Sequence, residues 1–355
     1  MCTTPLSSLE QATAYFNEQL YQYLRQLITA DGAGFGPLQF RMETLPIKDG
    51  GQGIYTMTDT VNYCYLASQF QTQFVQHTIL KNVTPEGLSS NRQQAQQTYT
   101  QVCGIVPSSL SFEVDAPPST HSMHSLAITY FEVVKKQLPT VFQMSVRDNV
   151  LWQCNQMKHA QDYLLAIPIS GLNQTLGPRK FRSVLCYRLG IPIFAEESRC
   201  TSCKREMDIY GDHALHCASE VGIKFRHNLV RDVFVDICFR VGVVDRKEAS
   251  LGFTFGGNTL LPADLSVYNW ESGNDTCFDV AGVSPFTSDL RYFAPGQAIS
   301  KAVLRKRNKY LATCETHGYN FGILAFTTLG ELGEDTVDFL KKLKNCFANN
   351  DLWLR

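Results

Sequence analysis

The sequence predicts an α/β domain with a mixed sheet, preceded by a helical half and a small metal-binding segment. Three observations carry this reading. Helix-period apolar patterns dominate the first half, cysteines and histidines crowd between Cys200 and Cys217, and β-prone runs then alternate with helices. At 355 residues the chain can bury two or three cores, so more than one domain is expected.

The elements follow in order. Residues 9–30 carry Ala14, Leu20, Tyr21, Leu24, Leu27 and Ile28 on a recurring face, which predicts an amphipathic helix. Gly-rich stretches at 31–37 and 49–53 break the pattern, and further helical patterns follow at 54–80 and 90–103. Pro107 and the Pro117-Pro118 pair mark a loop, helices resume at 121–136 and 145–163, and Pro168, Gly171 and Gly177 make a turn-rich passage. In the second half, Val221, Phe225, Leu229, Val233, Ile237 and Val241 recur at steps of four, predicting a long helix over 219–241 with one buried face. Short β-prone runs lie near 251–255, 261–269 and 276–284. A helix at 296–316, a buried strand at 319–326 and a helix at 335–347 follow. The predicted order is αβββαβα, and no internal repeat or low-complexity tract interrupts it.

Composition narrows the function classes. Hydrophobic residues make up 44% and charged residues 18%, the balance of an ordinary globular protein. No apolar run is long enough to span a bilayer, and the N-terminal MCTTPLSSLEQ lacks a basic flank followed by an apolar stretch, so an intracellular protein with no membrane partner is expected. The 12 cysteines are then read mainly as reduced, packed thiols. A net charge of −1 argues against whole-molecule capture of nucleic acid, but only 9 of the 32 Lys and Arg precede Arg179. The basic potential is concentrated in the second half.

Cys200-x2-Cys203-x9-His213-x3-Cys217 offers three thiolates and an imidazole at spacings that one tetrahedral Zn²⁺ accepts. Four protein ligands leave no open position, so the expected role is structural: folding a segment too short to make its own core. His216 is the alternative to His213, and packed thiols beside a surface histidine are the metal-free alternative.

Phosphodiester cleavage needs carboxylates that converge on a hard cation. Asp264 and Asp279 lie within the runs 262–269 and 276–284, flanked by Leu265, Phe278 and Val280. A charge inside an apolar strand is costly unless it is paired or metal-bound. A hairpin turning within 271–274 would set Asp264 opposite Ala281 and put Asp279 diagonally beside it on the same face, so that the two could share Mg²⁺. Aspartates that merely cap strand ends are the alternative. Lys306 falls on the Ile299, Val303, Tyr310 and Cys314 face and is expected to point inward, either towards an anion or as a snorkelling side chain at the sheet edge. Lys301, Arg305, Arg307 and Lys309 populate the other faces and suit phosphate contact or a plain solvated surface. Glu248 is a weaker third carboxylate. Arg226 and His227 would reach nucleic acid or brace the site.

Taken in order, Cys-x2-Cys, GDHALHC, RHN (Arg226 to Asn228), LPADLSV, FDVAGVSP and KRNKY resemble the C-terminal part of non-LTR retrotransposon polyproteins that carry a restriction-enzyme-like endonuclease. Upstream, LPIKDGGQGI and YLASQ look like the thumb or connector that follows a reverse transcriptase palm, and LLAIPISG and YRLGIPI look like the linker before the zinc motif. The resemblance implies a helical thumb-like region at 1–178, a linker and CCHC zinc motif at 179–218, and a PD-(D/E)xK-type domain at 219–355. It also implies Asp264 and Asp279 as Mg²⁺ ligands and Lys306 as the catalytic lysine. DNA is the implied partner, with RNA of the parent element and a separate polymerase subunit as further candidates and the nucleus as location.

The sequence departs from that pattern in two places. Ala281 stands where a standard PD-(D/E)xK enzyme has lysine, and Pro-Asp is stretched to Pro-Ala-Asp at Pro262 to Asp264. The chain carries no Tyr-x-Asp-Asp palm motif, so reverse transcription is not expected, and the reading is of an endonuclease remnant of such an element. An inactive nucleic-acid-binding module and a protein-interaction module are the competing readings.

Overall fold

The computed structural model of the chain describes residues 4–80, 86–104, 122–169, 175–217, 219–248, 254–255, 258–259, 263–287 and 289–353. The proline loop at Pro107 and Pro117-Pro118, Gly171, most of the 251–255 run, Leu261 and Pro262 lie outside the described residues, as does the side chain of Val221. The fold is mixed α+β, and none of the described helices is long and apolar enough to cross a membrane.

Two compact units form, one from residues 1–145 with 178–185, the other from 146–177 with 186–355. This division differs from the expected boundaries at 178 and 218. Val150, Leu151 and Cys154 pack with Tyr187 and Leu329 in one core cluster, which assigns their helix to the C-terminal unit. The cysteine-rich segment belongs to that unit too.

The first unit is helical: α1 (Glu10–Thr29), α2 (Pro37–Glu43), α3 (Met57–Ile79), α4 (Glu86–Cys103) and α5 (Ser122–Val141). Leu24, Ile28, Tyr65, Leu66, Tyr99, Leu126 and Leu138 are almost wholly buried in it. Asp59 organises the polar interior. It accepts hydrogen bonds from Arg41, from the Thr56 hydroxyl at 2.7 Å and from the Tyr130 hydroxyl at 2.8 Å, while Thr56 Oγ1 caps α3 by accepting from the Asp59 N–H. A buried carboxylate with several donors is satisfied rather than stranded. The LPIKDGGQGI segment is a tight turn in which a Cβ on Gly51 would collide with the Leu45 carbonyl.

The second unit adds α6 (Val146–Asn155), α7 (Asp162–Leu165), the end of α8 (Pro178–Leu189), α9 (Asp212–His216) and α10 (Glu220–Arg240). These are followed by β1 (Asp245–Lys247), β2 (Thr254–Phe255), β3 (Asn258–Thr259), β4 (Leu265–Glu271), β5 (Asn274–Val283), α11 (Gln297–Thr316), β6 (Asn320–Thr327) and α12 (Glu334–Trp353). Four strands make one mixed sheet in the order β1-β4-β5-β6. The β1/β4 and β4/β5 pairs are antiparallel, and β5/β6 is parallel across the α11 crossover that parallel pairing requires. β2 and β3 form a separate small hairpin. The edge strand beside β4 is Asp245–Lys247, which the sequence reading did not place, while Thr254–Phe255 falls in the expected 251–255 run and pairs with β3 instead.

Strand parity decides which face each side chain serves. Phe278 and Val280 join Leu265, Val267, Trp270 and Leu324 against Phe234 and Cys238 of α10, Val241 just after it, and Phe339 and Leu343 of α12. The Phe278 and Phe339 ring centroids are 4.8 Å apart. Gly322, paired with Phe278 in the parallel register, leaves the room that this ring occupies: a Cβ there would come within 2.5 Å of it. The alternate residues face α11. Ala281, Ile323 and Ala325 pack on Ile299, and Cys277 packs on Cys314.

The buried face of α10 is not the expected one. Phe225, Leu229 and Val233 are exposed, whereas Phe234, Cys238 and Val241 are buried and Val230 is partly so. Steps of four overshoot a 3.6-residue turn by about 40° each, so a series of five winds roughly halfway round the helix. The face that packs alternates steps of three and four.

Candidate metal centres

The first centre is made locally. Backbone hydrogen bonds from Cys200 N to Arg205 O (2.8 Å), Lys204 N to Cys200 O (2.9 Å) and Met207 N to Ser198 O (2.8 Å) fold 198–207 into a knuckle, with Lys204 at φ +62° turning it. The Asp208 carboxylate accepts from the N–H groups of Tyr210, Asp212 and His213 and so starts α9, which carries His213 back towards the knuckle. The ligand atoms of Cys200, Cys203, His213 and Cys217 all lie within 4.8 Å of one another.

Their spacing suits a tetrahedral ion. Zinc bonds of about 2.3 Å to sulfur and 2.0–2.1 Å to nitrogen imply neighbouring sulfurs roughly 3.7 Å apart and a sulfur–nitrogen gap of roughly 3.5 Å. Cys200 Sγ and Cys217 Sγ are 3.7 Å apart, and Cys203 Sγ is 3.2 Å from His213 Nε2. The Ser219 hydroxyl and N–H draw the Cys217 thiol down to about 6, which favours the thiolate that a metal needs. The cluster can therefore hold a metal ion and is compatible with zinc. His216 is exposed and outside it.

Two arginines fix this segment to its unit. Arg147 of α6 lies between the Tyr210 and Phe286 rings, 4.2 and 4.1 Å from their centroids, and its guanidinium is 2.9 Å from Asp212. Arg226 of α10 donates to the Cys217 carbonyl at 2.8 Å and to the Ala214 carbonyl at 3.3 Å. Arg226 thus ties α10 to the Cys/His segment rather than to the carboxylates.

The second centre is assembled from distant elements. Leu265 pairs with Phe278, so one step further out Asp264, just before β4, meets Asp279 of β5 head on. The expected register holds only at the turn, where Glu271 pairs with Asn274. A β-bulge between Val267 and Glu271, with Asn269 at φ +51°, slips the ladder by two and replaces Ala281 by Asp279 opposite Asp264. Lys306 comes from α11, with Nζ 3.0 Å from Asp279 Oδ1 in a hydrogen bond and 2.7 Å from Oδ2. That second approach is close enough for an ion pair but too poorly aligned for a hydrogen bond, which leaves a buried oxygen without one.

His227 completes the cluster. Its Nε2 is 2.9 Å from Asp264 Oδ2, which also accepts from the Val280 N–H at 2.7 Å, and the ligand atoms of His227, Asp264 and Asp279 lie within 4.8 Å of one another. His227 continues the packed face of α10 past Val230 and Phe234, a signal that the corrected helix periodicity would have supplied.

Electrostatics separate the two acids. Burial raises the Asp279 carboxyl to about 7, the neighbouring Asp264 adds to the rise, and Lys306 only partly opposes it. Burial also acts on Asp264, but His227, the neighbouring Asp279 and the Val280 N–H outweigh it and hold that carboxyl below its ordinary value. His227 is raised in turn, first by its bond to Asp264. Two carboxyls that face each other in a buried site push their titrations apart, as like charges do.

The remaining sequence candidates lie outside this cluster. Glu248 is exposed and paired with Arg231. Arg307 donates to both oxygens of Asp335 at 3.1 Å, Lys309 lies 4.6 Å from the Tyr310 ring centroid, and Arg305 is exposed on α11. No known protein family and no curated protein matches the chain.

Proposed function

We propose that the chain is a metal-dependent endonuclease that nicks DNA, descended from a non-LTR retrotransposon, with a restriction-endonuclease-like catalytic domain and a structural zinc motif. The observation that carries this reading is the convergence of Asp264, Asp279 and Lys306. Two acids and a cation, drawn from the residue before β4, from β5 and from α11, meet on the α11 side of the sheet. The strand order β1-β4-β5-β6, with the acids on its two central strands and a helical crossover to a parallel fourth, supports the fold assignment.

The residues would divide the work as follows. Asp264 and Asp279 would hold a divalent cation, Mg²⁺ on the family resemblance, and the buried Asp279 oxygen that lacks a hydrogen bond fits that use. When bound, such a cation supplies Lewis acidity at the scissile phosphate. Lys306 Nζ lies beside Asp279 and would meet a non-bridging phosphate oxygen, stabilising the charge that builds up there. Arg305, Lys301 and Lys309, exposed on α11, would contact the phosphate backbone. The four-ligand Cys/His cluster has no open position and would order its segment instead.

The test is plasmid nicking. Purified protein with supercoiled plasmid and Mg²⁺ or Mn²⁺ should yield open circles, and Asp264→Ala and Asp279→Ala should each lower the rate by about 100-fold or more. No nicking by the native chain, or nicking unchanged from native in both variants, would remove the catalytic assignment. DNA binding without cleavage would leave the inactive binding module.

A further inference from the structure

The second centre differs in composition from a plain pair of aspartates, because an imidazole stands in the same ring of donors. We propose that His227 is a third ligand of this centre, making a His-Asp-Asp set that takes a first-row transition cation such as Mn²⁺ in preference to Mg²⁺. The inference rests on the reading of Asp264 and Asp279 as metal ligands.

Geometry comes first. An octahedral ion with bonds of about 2.1 Å sets adjacent donors about 3 Å apart and opposite donors about 4.2 Å apart. His227 Nε2 and Asp264 Oδ2 are 2.9 Å apart, and both lie within 4.8 Å of an Asp279 oxygen. A gap of 2.9 Å also suits a hydrogen bond, so that distance does not by itself choose between a ligand and a residue that merely positions Asp264. The third member chooses. Asp279 is 3% exposed, its Oδ2 has no hydrogen bond, and it sits in the same ring of donors although it makes no bond to His227. A histidine serving Asp264 alone would not need Asp279 within reach.

Exposure supports a site that a hydrated ion can enter. Side-chain exposure rises from 4% at Asp279 through 17% at Asp264 to 30% at His227, so the ring is closed at the sheet and open at the helix. The imidazole is held by its backbone position as well. It lies one helical turn beyond Val230 on the packed face of α10, while Arg226 beside it anchors that end of the helix to Cys217. Fixed ligands on rigid elements favour binding over a mobile surface histidine.

Donor chemistry then decides the class of ion. Mg²⁺ is hard, prefers oxygen and keeps several waters, whereas imidazole suits first-row transition ions and Mn²⁺ also accepts carboxylate and water. One nitrogen and two carboxylates, with room for solvent on the His227 side, match the latter. Among the described residues no thiol belongs to this ring of donors, whereas three thiols, the soft ligands that would draw Zn²⁺, belong to the other.

The experiment uses the full chain with its thiolate centre loaded with zinc, and Mn²⁺ alone as the probe. Pulsed electron paramagnetic resonance should detect a directly bonded nitrogen on Mn²⁺, and competition should require a large excess of Mg²⁺ to displace it. His227→Ala should abolish the nitrogen coupling and weaken Mn²⁺ binding by roughly 10- to 100-fold. His227→Asn can keep a hydrogen bond to Asp264 without the imidazole, so it separates the two roles and guards against a variant that fails to fold. Loss of coupling and affinity in His227→Asn supports the ligand. Full Mn²⁺ affinity in that variant, an unchanged coupling in either variant, or Mn²⁺ bound without nitrogen coupling in the native chain would overturn it. Absence of nicking while these binding results hold would remove the nuclease reading and leave this one standing.

Discussion

Cys200 and Cys217 meet across 17 positions of sequence, whereas Asp264 finds His227 across 37 and Asp279 finds Lys306 across 27. The first centre is closed on itself by a knuckle and a five-residue helix, and its ligands are thiolates with one imidazole. The second borrows one residue each from α10, the approach to β4, β5 and α11, mixes oxygen with nitrogen, and keeps a buried oxygen without a hydrogen bond. A local cluster whose four side chains could close around an ion would, once loaded, stabilise the segment around it. A distributed, incompletely satisfied cluster needs the rest of the domain to hold it in place, which is the usual relation between a stabilising site and a reactive one.

The largest effects should appear where one centre is broken and the other is left alone. Cys200→Ser should lower bound zinc from about one equivalent per chain towards zero and expose 198–217 to limited proteolysis. Asp264→Ala should leave the zinc content unchanged while removing nicking. Elemental analysis and protease mapping on both variants check this. Zinc lost equally from both would mean that the two centres are not independent.

Next comes the ion pair. Lys306→Met leaves the Asp279 carboxylate buried without its cation, which should cost about 1–3 kcal/mol in urea unfolding, less than a fully stranded charge because Asp279 can take up a proton. Asp279→Asn should go the other way. Relieving two facing carboxyls in a buried site should raise stability by about 0.5–2 kcal/mol while nicking falls away, the trade expected of a reactive centre and not of a structural one. If Asp279→Asn destabilises the chain as much as Lys306→Met does, the pair is structural and the contrast between the centres weakens.

How much of this the sequence disclosed depends on the distance over which each feature is made. The thiolate centre was legible because all its ligands fall between Cys200 and Cys217, where spacing alone constrains geometry. Lys306 was legible from a helix face that alternates steps of three and four, and Ile299, Tyr310 and Cys314 on that face are buried. The β4/β5 register was legible at the turn but not beyond it, because the bulge near Asn269 carries no glycine to announce the slip. His227 was hidden by reading α10 at uniform steps of four, which placed Phe225 and Leu229 inward when both are exposed. The first strand was missed because Asp245–Lys247 is short and charged, as an edge strand is expected to be, and resembles a loop in composition.

The smallest predicted effect concerns the weaker carboxylate candidate. Glu248 was a candidate third carboxylate, yet its side chain is 62% exposed and engaged by Arg231, while the place near Asp264 is taken by His227. Arg231 is buried but keeps Asp232, so loss of the exposed Glu248 charge should cost only about 0–1 kcal/mol, and Glu248 lies outside the ring of donors. Glu248→Gln should therefore change unfolding free energy by no more than that and leave both Mn²⁺ affinity and nicking within about twofold of native, where His227→Asn lowers affinity by roughly 10-fold or more. Titration of Mn²⁺ into the two variants side by side checks the difference. A Glu248→Gln variant that loses metal as His227→Asn does would move the third ligand from α10 to the end of β1 and redraw the second centre as an all-carboxylate one.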